Sequence, residues 1–308
     1  MCRSYAPRAD AEAIVNLHVL RLGEHLLGFY EGRVPATPAT PDTWVDDGAL
    51  SLGICSYALV DGPEAIVYDT HVSVERARAI RETLEQLGAR QIRVVLSHWH
   101  LDHIAGNEAF ADCEIIANRA TAELLAEHRC AIQAGTFEGP PAIAPLVLPT
   151  TLFEDGMQLA TQHLHVDLVQ LDIHSRDATV LHLPDEALLL AGDTLEDTVT
   201  YVSEADGLER HLGELERLRG LGADRILPNH GSLERIERGG YAESLIDATG
   251  LYIRDLIARA REPRAQTSDL RSFVSEQLAA GWIDWFEPYQ RVHESNLDAI
   301  ASRGRDSI

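Results

Sequence analysis

Apolar residues along this chain come in short runs whose spacing alternates between two and three-to-four, a rhythm that predicts strands interleaved with helices. Residues 1 to about 12 carry no such rhythm and read as a loose leader. Ile14 to Leu20 and His25 to Tyr30 predict two short strands split at Gly23-Glu24, followed by a Pro/Thr-rich connector from Val34 to Thr43. Ile54 to Val60 and Ala65 to Tyr68 predict a hairpin turning at Asp61-Gly62. A helix over Val74 to Leu87, closed by Gly88, leads into a strand over Gln91 to Leu96, a βαβ-like unit. A strand over Glu114 to Ala117 and a helix over Arg119 to His128 come next, with His128 solvated on a polar helix. The Gly/Pro/Ala segment from Gly135 to Pro145 reads as a loop that borders a cleft.

Short strands then resume over Thr151 to Phe153, Met157 to Ala160 and His163 to Leu171. His163 and His165 alternate with apolar residues and read as surface histidines on one sheet face. Ala178 to Leu183 and Ala187 to Leu190 predict a second hairpin, Leu208 to Leu218 a helix and Arg225 to Leu227 a strand. Beyond Glu234 the spacing is helical, in Leu245, Ala248, Leu251, Tyr252, Ile253 and Leu256, then over Leu270 to Leu278 and Tyr289 to Ile300. Trp282, Trp285, Phe286 and Tyr289 read as a packing cluster, with His293 and Asn296 beside it. We expect residues 1–235 to form a catalytic α/β domain and residues 236–308 a helical extension, serving as a lid or a homodimer contact.

The chemistry gathers where strands run out. The strand ending at Leu96 opens into Ser97-His98-Trp99-His100-Leu101-Asp102-His103. His98 and His100 are two apart and share a direction in extended backbone, while Asp102 and His103 fall in the loop beyond. So many groups that are costly to bury, placed together, call for a shared cation. The same logic recurs at His174 in DIHSRD, at Asp193 in AGDT and at His230 in PNHG. Asp193, emerging from a very apolar run, is the candidate bridging ligand. Asp69 admits two readings, an orienter of a ligand histidine or the start of the turn into the next helix.

A formal net charge of -23 and a pI near 4.9 disfavour a nucleic-acid partner and point to a small-molecule substrate. The sequence holds no lysine, which removes Schiff-base chemistry. Cys2, Cys55, Cys113 and Cys130 form no CxxC pair and read as reduced thiols of a cytoplasmic protein. Neither a secretory leader nor an apolar span of membrane length is evident, so we expect no membrane partner and a soluble protein.

With these residues in hand, the chain resembles the metallo-β-lactamase superfamily. HWHLDH matches that family's HxHxDH signature, and His174, Asp193 and His230 match its later ligands in order, over about residues 14 to 235. The resemblance implies a four-layer αβ/βα sandwich with a dinuclear site at one edge. It places His98, His100 and His174 on one zinc ion and Asp102, His103 and His230 on the other, with Asp193 and a hydroxide shared. The activity implied is hydrolysis of a small ester, lactone, thioester or amide, with the bridging hydroxide as nucleophile and Asp102 shuttling a proton. Iron or manganese could replace zinc, and the alternative activities are a mononuclear iron oxidoreductase resembling persulfide dioxygenases, or a small phosphodiesterase. His174 to Val180 with Leu183-Pro184 looks like the HSxDxxV…LP pattern of zinc β-lactamases, but Asp193 stands where those enzymes carry Cys. Glu196 and Asp197 stand where lactonases carry Tyr; Tyr201 is the nearest replacement and reads as a buried structural residue.

Overall fold

A computed structural model describes residues 16–33, 43–261 and 269–303. The expected leader and most of the Pro/Thr-rich connector lie outside these residues. The chain is mixed α/β and divides into two compact units, each built on its own sheet.

The first unit holds the residues up to 154 together with 161–163. Its seven strands lie in sequence order: β1 (His18–Arg21), β2 (Leu26–Glu31), β3 (Ile54–Asp61), β4 (Glu64–Tyr68), β5 (Gln91–Val95), β6 (Glu114–Asn118) and β7 (Thr151–Phe153). Pairing is antiparallel from β1 to β4 and parallel from β4 to β7. Helix α1 (Val74–Gln86) joins the parallel pair β4 and β5, the single turn α2 (Leu101–Ile104) follows β5, and α3 (Arg119–Ala134) follows β6. Parallel strands are covered on both faces and need unbroken apolar runs, as the fully buried Val94, Val95, Ile115, Ile116 and Ala117 supply. Ser73 caps α1 by accepting the Arg76 N–H at 3.4 Å, and α1 contributes Ala77, Ile80 and Leu84 to the core that holds Val67, Val94 and Ile115.

Two local expectations shift. Asp61 pairs with Glu64 across the hairpin, so the two-residue connection is Gly62-Pro63 rather than Asp61-Gly62. Asp61 stays on the strand because its carboxylate accepts the Thr161 hydroxyl at 2.6 Å and the backbone and Nδ1 N–H groups of His163 at 2.6 and 2.8 Å. His163 is therefore tethered to Asp61 instead of alternating along a strand, and both it and His165 are exposed, as expected of surface histidines.

The second unit holds residues 155–160 and those from 164 onward. Its strands are β8 (Gly156–Ala160), β9 (His165–Gln170), β10 (Thr179–Leu183), β11 (Leu188–Gly192) and β12 (Arg225–Pro228), ordered β12-β11-β10-β9-β8. All neighbours are antiparallel except β11 and β12, which α4 (Leu208–Arg219) connects. Between them the register slips: Leu190 faces Leu227, but Gly192 faces Pro228, leaving Ala191 as an extra residue in β11. The helices α5 (Leu233–Glu237), α6 (Ser244–Arg261), α7 (Leu270–Phe273), α8 (Ser275–Ala279) and α9 (Tyr289–Arg303) belong to this unit, and α4 packs on α6 and α6 on α9. Among the described residues no helix is long and apolar enough to cross a membrane.

Candidate metal centre

In the first unit the ligand-type residues follow directly from β5. The His98 and His100 rings lie 4.4 Å apart, as alternation predicts, and His98 lies 4.3 Å from His103. His98 and His103 are buried, while Asp102 keeps 18 % of its side chain exposed. Asp102 and His103 sit on α2, a helical turn and not the loop expected, with Asp102 Oδ1 3.5 Å from His103 Nε2.

The two readings of Asp69 resolve in favour of the orienter. Its Oδ2 lies 2.8 Å from His103 Nδ1 and its Oδ1 accepts the Ser97 N–H at 2.6 Å. A carboxylate only accepts, so the Nδ1 of His103 carries the proton and Nε2 keeps its lone pair for a metal. The Ser97 hydroxyl, which can donate or accept, lies 2.9 Å from Nδ1 of His98. Thr70, next to Asp69, donates its N–H to the His103 carbonyl at 2.8 Å. This close approach requires Gly106, where a Cβ would meet the Thr70 carbonyl oxygen at 2.1 Å and Ala77 Cβ at 2.4 Å. His128 departs from expectation: it is half-buried and stacks on Trp99 at 4.9 Å, with Phe137 4.9 Å away, because α3 turns that face toward the ligand segment.

In the second unit, His174 precedes β10, Asp193 follows β11 and His230 follows β12. Parallel neighbours end on the same side, so β11 and β12 deliver Asp193 and His230 together. Asp193 Oδ2 lies 3.5 Å from Nε2 of His230 and 3.8 Å from Nε2 of His174, so one carboxylate oxygen faces two imidazole nitrogens. His174, at φ +67, donates its Nδ1 proton to the Tyr201 carbonyl at 3.1 Å, which again directs Nε2 inward.

Glu196, which sequence reasoning noted only as a departure, is buried behind His174. Its Oε1 lies 3.6 Å from His174 Nδ1 and accepts the Tyr201 N–H at 2.8 Å, and its Oε2 accepts the Tyr289 hydroxyl at 3.3 Å. Burial first, and the nearby Asp193 charge second, hold its carboxyl well above the usual range. Asp197 accepts the Tyr241 hydroxyl at 2.6 Å and the Asp284 N–H at 2.8 Å. Tyr201 is not the buried residue expected: its backbone is held while its ring is 42 % exposed. The apolar character of a tyrosine gave no hint of this.

The donor chemistry of these residues fits a divalent metal. Imidazoles whose Nδ1 is engaged, leaving Nε2, and buried carboxylates are the usual first-row ligand set, and groups of this kind are expensive to bury without a cation. The chain therefore carries a candidate metal-binding cluster of His and Asp residues.

The family model described as "Metallo-beta-lactamase superfamily" matches residues 50–230. The chain is 24% identical over 212 residues to "Beta-lactamase-like protein 2 homolog" of Caenorhabditis elegans, covering 68% of this chain and 64% of that protein. It is 23% identical over 297 residues to "Linear primary-alkylsulfatase" of a Pseudomonas strain, covering 74% of this chain and 56% of that protein. The chain thus spans less than two thirds of the length of these curated relatives. Among solved structures, a metallo-beta-lactamase from Pontibacter korlensis shares the fold with a TM-score of 0.59 at 17% identity, covering 78% of this chain and 100% of that one. Members of this family are mostly hydrolases. With a family model matching more than half its length, the chain belongs to the metallo-beta-lactamase superfamily.

Proposed function

We propose that the chain is a dinuclear zinc hydrolase of a small-molecule ester, lactone, thioester or amide. The observation that carries this reading is the Asp193 carboxylate oxygen set between Nε2 of His174 and Nε2 of His230, the arrangement a bridging ligand needs. In this reading, which follows the order of the family's ligands along the chain, His98, His100 and His174 would hold one ion and Asp102, His103 and His230 the other, with Asp193 available to both. Ions bound there would supply Lewis acidity toward the scissile carbonyl and bring the pKa of water down to about 7.

The chain's own residues do the remainder. Asp69 and the Tyr201 carbonyl fix the tautomer and tilt of His103 and His174, and the Ser97 hydroxyl steadies the tilt of His98. Asp102 is the partly exposed carboxylate of the set, placed to take a proton from the attacking water and pass it to the leaving group. The net charge of -23 supports a small substrate over a nucleic acid. No disulfide joins Cys55, Cys113 or Cys130 among the described residues, which supports a reducing compartment such as the cytoplasm. The likeness to an alkylsulfatase adds sulfate esters to the substrates worth testing.

The test is elemental analysis of the purified protein with a screen of lactone, thioester, β-lactam, phosphodiester and sulfate-ester substrates. About two zinc ions per chain, with hydrolysis lost on chelation, is the expected result. About one iron per chain with oxygen consumption would replace this reading with the iron oxidoreductase.

A further inference from the structure

We propose that Asn296, on α9, is a positioning residue for His174, acting through the backbone of Tyr201. The inference rests on the metal-centre reading above. His174 sits at φ +67, a conformation that L residues adopt at a cost, so its neighbours must hold it in place. Its Nδ1 donates to the Tyr201 carbonyl at 3.1 Å, and that bond sets the tilt of the ring. Tyr201 lies on an irregular stretch between β11 and α4, outside any strand, so that carbonyl is only as well placed as the side chains that grip the stretch.

Asn296 provides that grip on both sides of Tyr201. Its Oδ1 accepts the Val202 N–H at 2.8 Å, and its Nδ2 donates to the Thr200 carbonyl at 2.9 Å. The second Nδ2 proton reaches the Tyr252 hydroxyl at 2.9 Å, and that hydroxyl lies 2.9 Å from His293 Nδ1. The amide can point only one way, because turning it over would set its NH2 against the Val202 N–H. Asn296 is fully buried, so each of these bonds is shielded from water and costly to leave unmade. Glu196 completes the grip by accepting the Tyr201 N–H itself. The C-terminal helices thereby set the aim of a ligand far from them in sequence.

The test is a cobalt(II) titration of the full chain, followed by visible absorption, with thermal melts alongside. Asn296→Leu removes all three bonds and should weaken cobalt binding about 10- to 100-fold, with a shifted ligand-field spectrum. Thr198→Val is the control: it deletes a hydroxyl bond to the Asp284 carbonyl, which joins the same two regions without bracketing Tyr201. It should lower the melting temperature and leave cobalt affinity within about twofold, since a cost in stability alone does not re-aim a ligand. An Asn296→Leu protein with unchanged affinity and spectrum would overturn the proposal, as would an equal loss of affinity in Thr198→Val. Should Asn296→Leu not fold, Asn296→Asp decides by the same comparison, because it keeps the Val202 acceptor and loses the donation to Thr200. His174→Ala separates the two readings. His174→Ala that binds cobalt with the parent's stoichiometry and affinity removes the centre as read here, whereas cobalt lost from one of two sites in His174→Ala but kept at both in Asn296→Leu removes only the positioning role.

Discussion

Asp69 and His103 meet at 2.8 Å with both side chains fully buried, and the second oxygen of Asp69 holds the backbone N–H of Ser97, one residue before His98. One carboxylate therefore orients two ligand-bearing positions. Asp69→Asn can satisfy only one of the two N–H groups and leaves the other facing an NH2. We expect metal affinity to fall about 10- to 100-fold and the unmetallated protein to lose about 1–3 kcal/mol. Chelator competition and urea melts measure the two effects; unchanged affinity would show that Asp69 is structural only.

Gly106→Ala should be costly for a reason that has nothing to do with flexibility. The added methyl would overlap the Thr70 carbonyl and Ala77, neither of which is the end of a flexible side chain. Overpacking of this kind costs about 1–3 kcal/mol, and the displaced Thr70 also loses its bond to the His103 carbonyl. A urea midpoint equal to that of the parent protein would contradict the close approach.

Asp193→Ala takes away the oxygen that faces both His174 and His230. If that oxygen bridges, bound zinc should drop from about two per chain to one or none, and hydrolysis should fall by at least about 100-fold. His98→Ala should lose metal and hydrolysis together. Full occupancy in either variant would sink the ligand assignment.

His211, on α4, is buried and its Nε2 has no hydrogen-bond partner among the described residues. Burial pushes its pKa down to about 3. An unfolded histidine titrates near 6.5, so below that pH the unfolded chain takes up a proton that the folded chain refuses. The contribution of neutral His211 is complete above about pH 6.5 and is lost as the pH falls toward 3, at about 1.4 kcal/mol per pH unit. His211→Leu should flatten the pH dependence of the unmetallated protein's stability between pH 6 and 4 relative to the parent. Parallel curves would show that His211 is already solvated.

The strand ends could be read from sequence because burial forces apolar runs, and a histidine or carboxylate at the end of such a run stands out. His98, His100, His174, Asp193 and His230 were all visible in this way. What stayed hidden depends on contacts between residues distant in sequence. Asp61 reads as part of a turn because its partners, Thr161 and His163, lie about a hundred positions away. Tyr201 reads as buried because nothing in sequence shows that its backbone, not its ring, is what the fold uses. His128 lay on a helix with a polar pattern, and only the placement of Trp99 and Phe137 turned it inward. Asn296 stands beside an aromatic cluster in the sequence, but a lone amide carries no periodic signal.

The extra residue Ala191 in β11 bears on how this chain can change over time. Side chains on a strand alternate between faces, and a one-residue insertion in the ladder reverses that alternation for everything after it. Asp193 comes immediately after the irregularity, so its direction depends on the number of residues from Leu188 onward as much as on their identity. Leu188, Leu189 and Leu190 can exchange with other apolar residues of similar size and still deliver the carboxylate. Losing or gaining a single codon there would turn Asp193 away from His174 and His230, so this stretch is open to substitution and closed to any change in length.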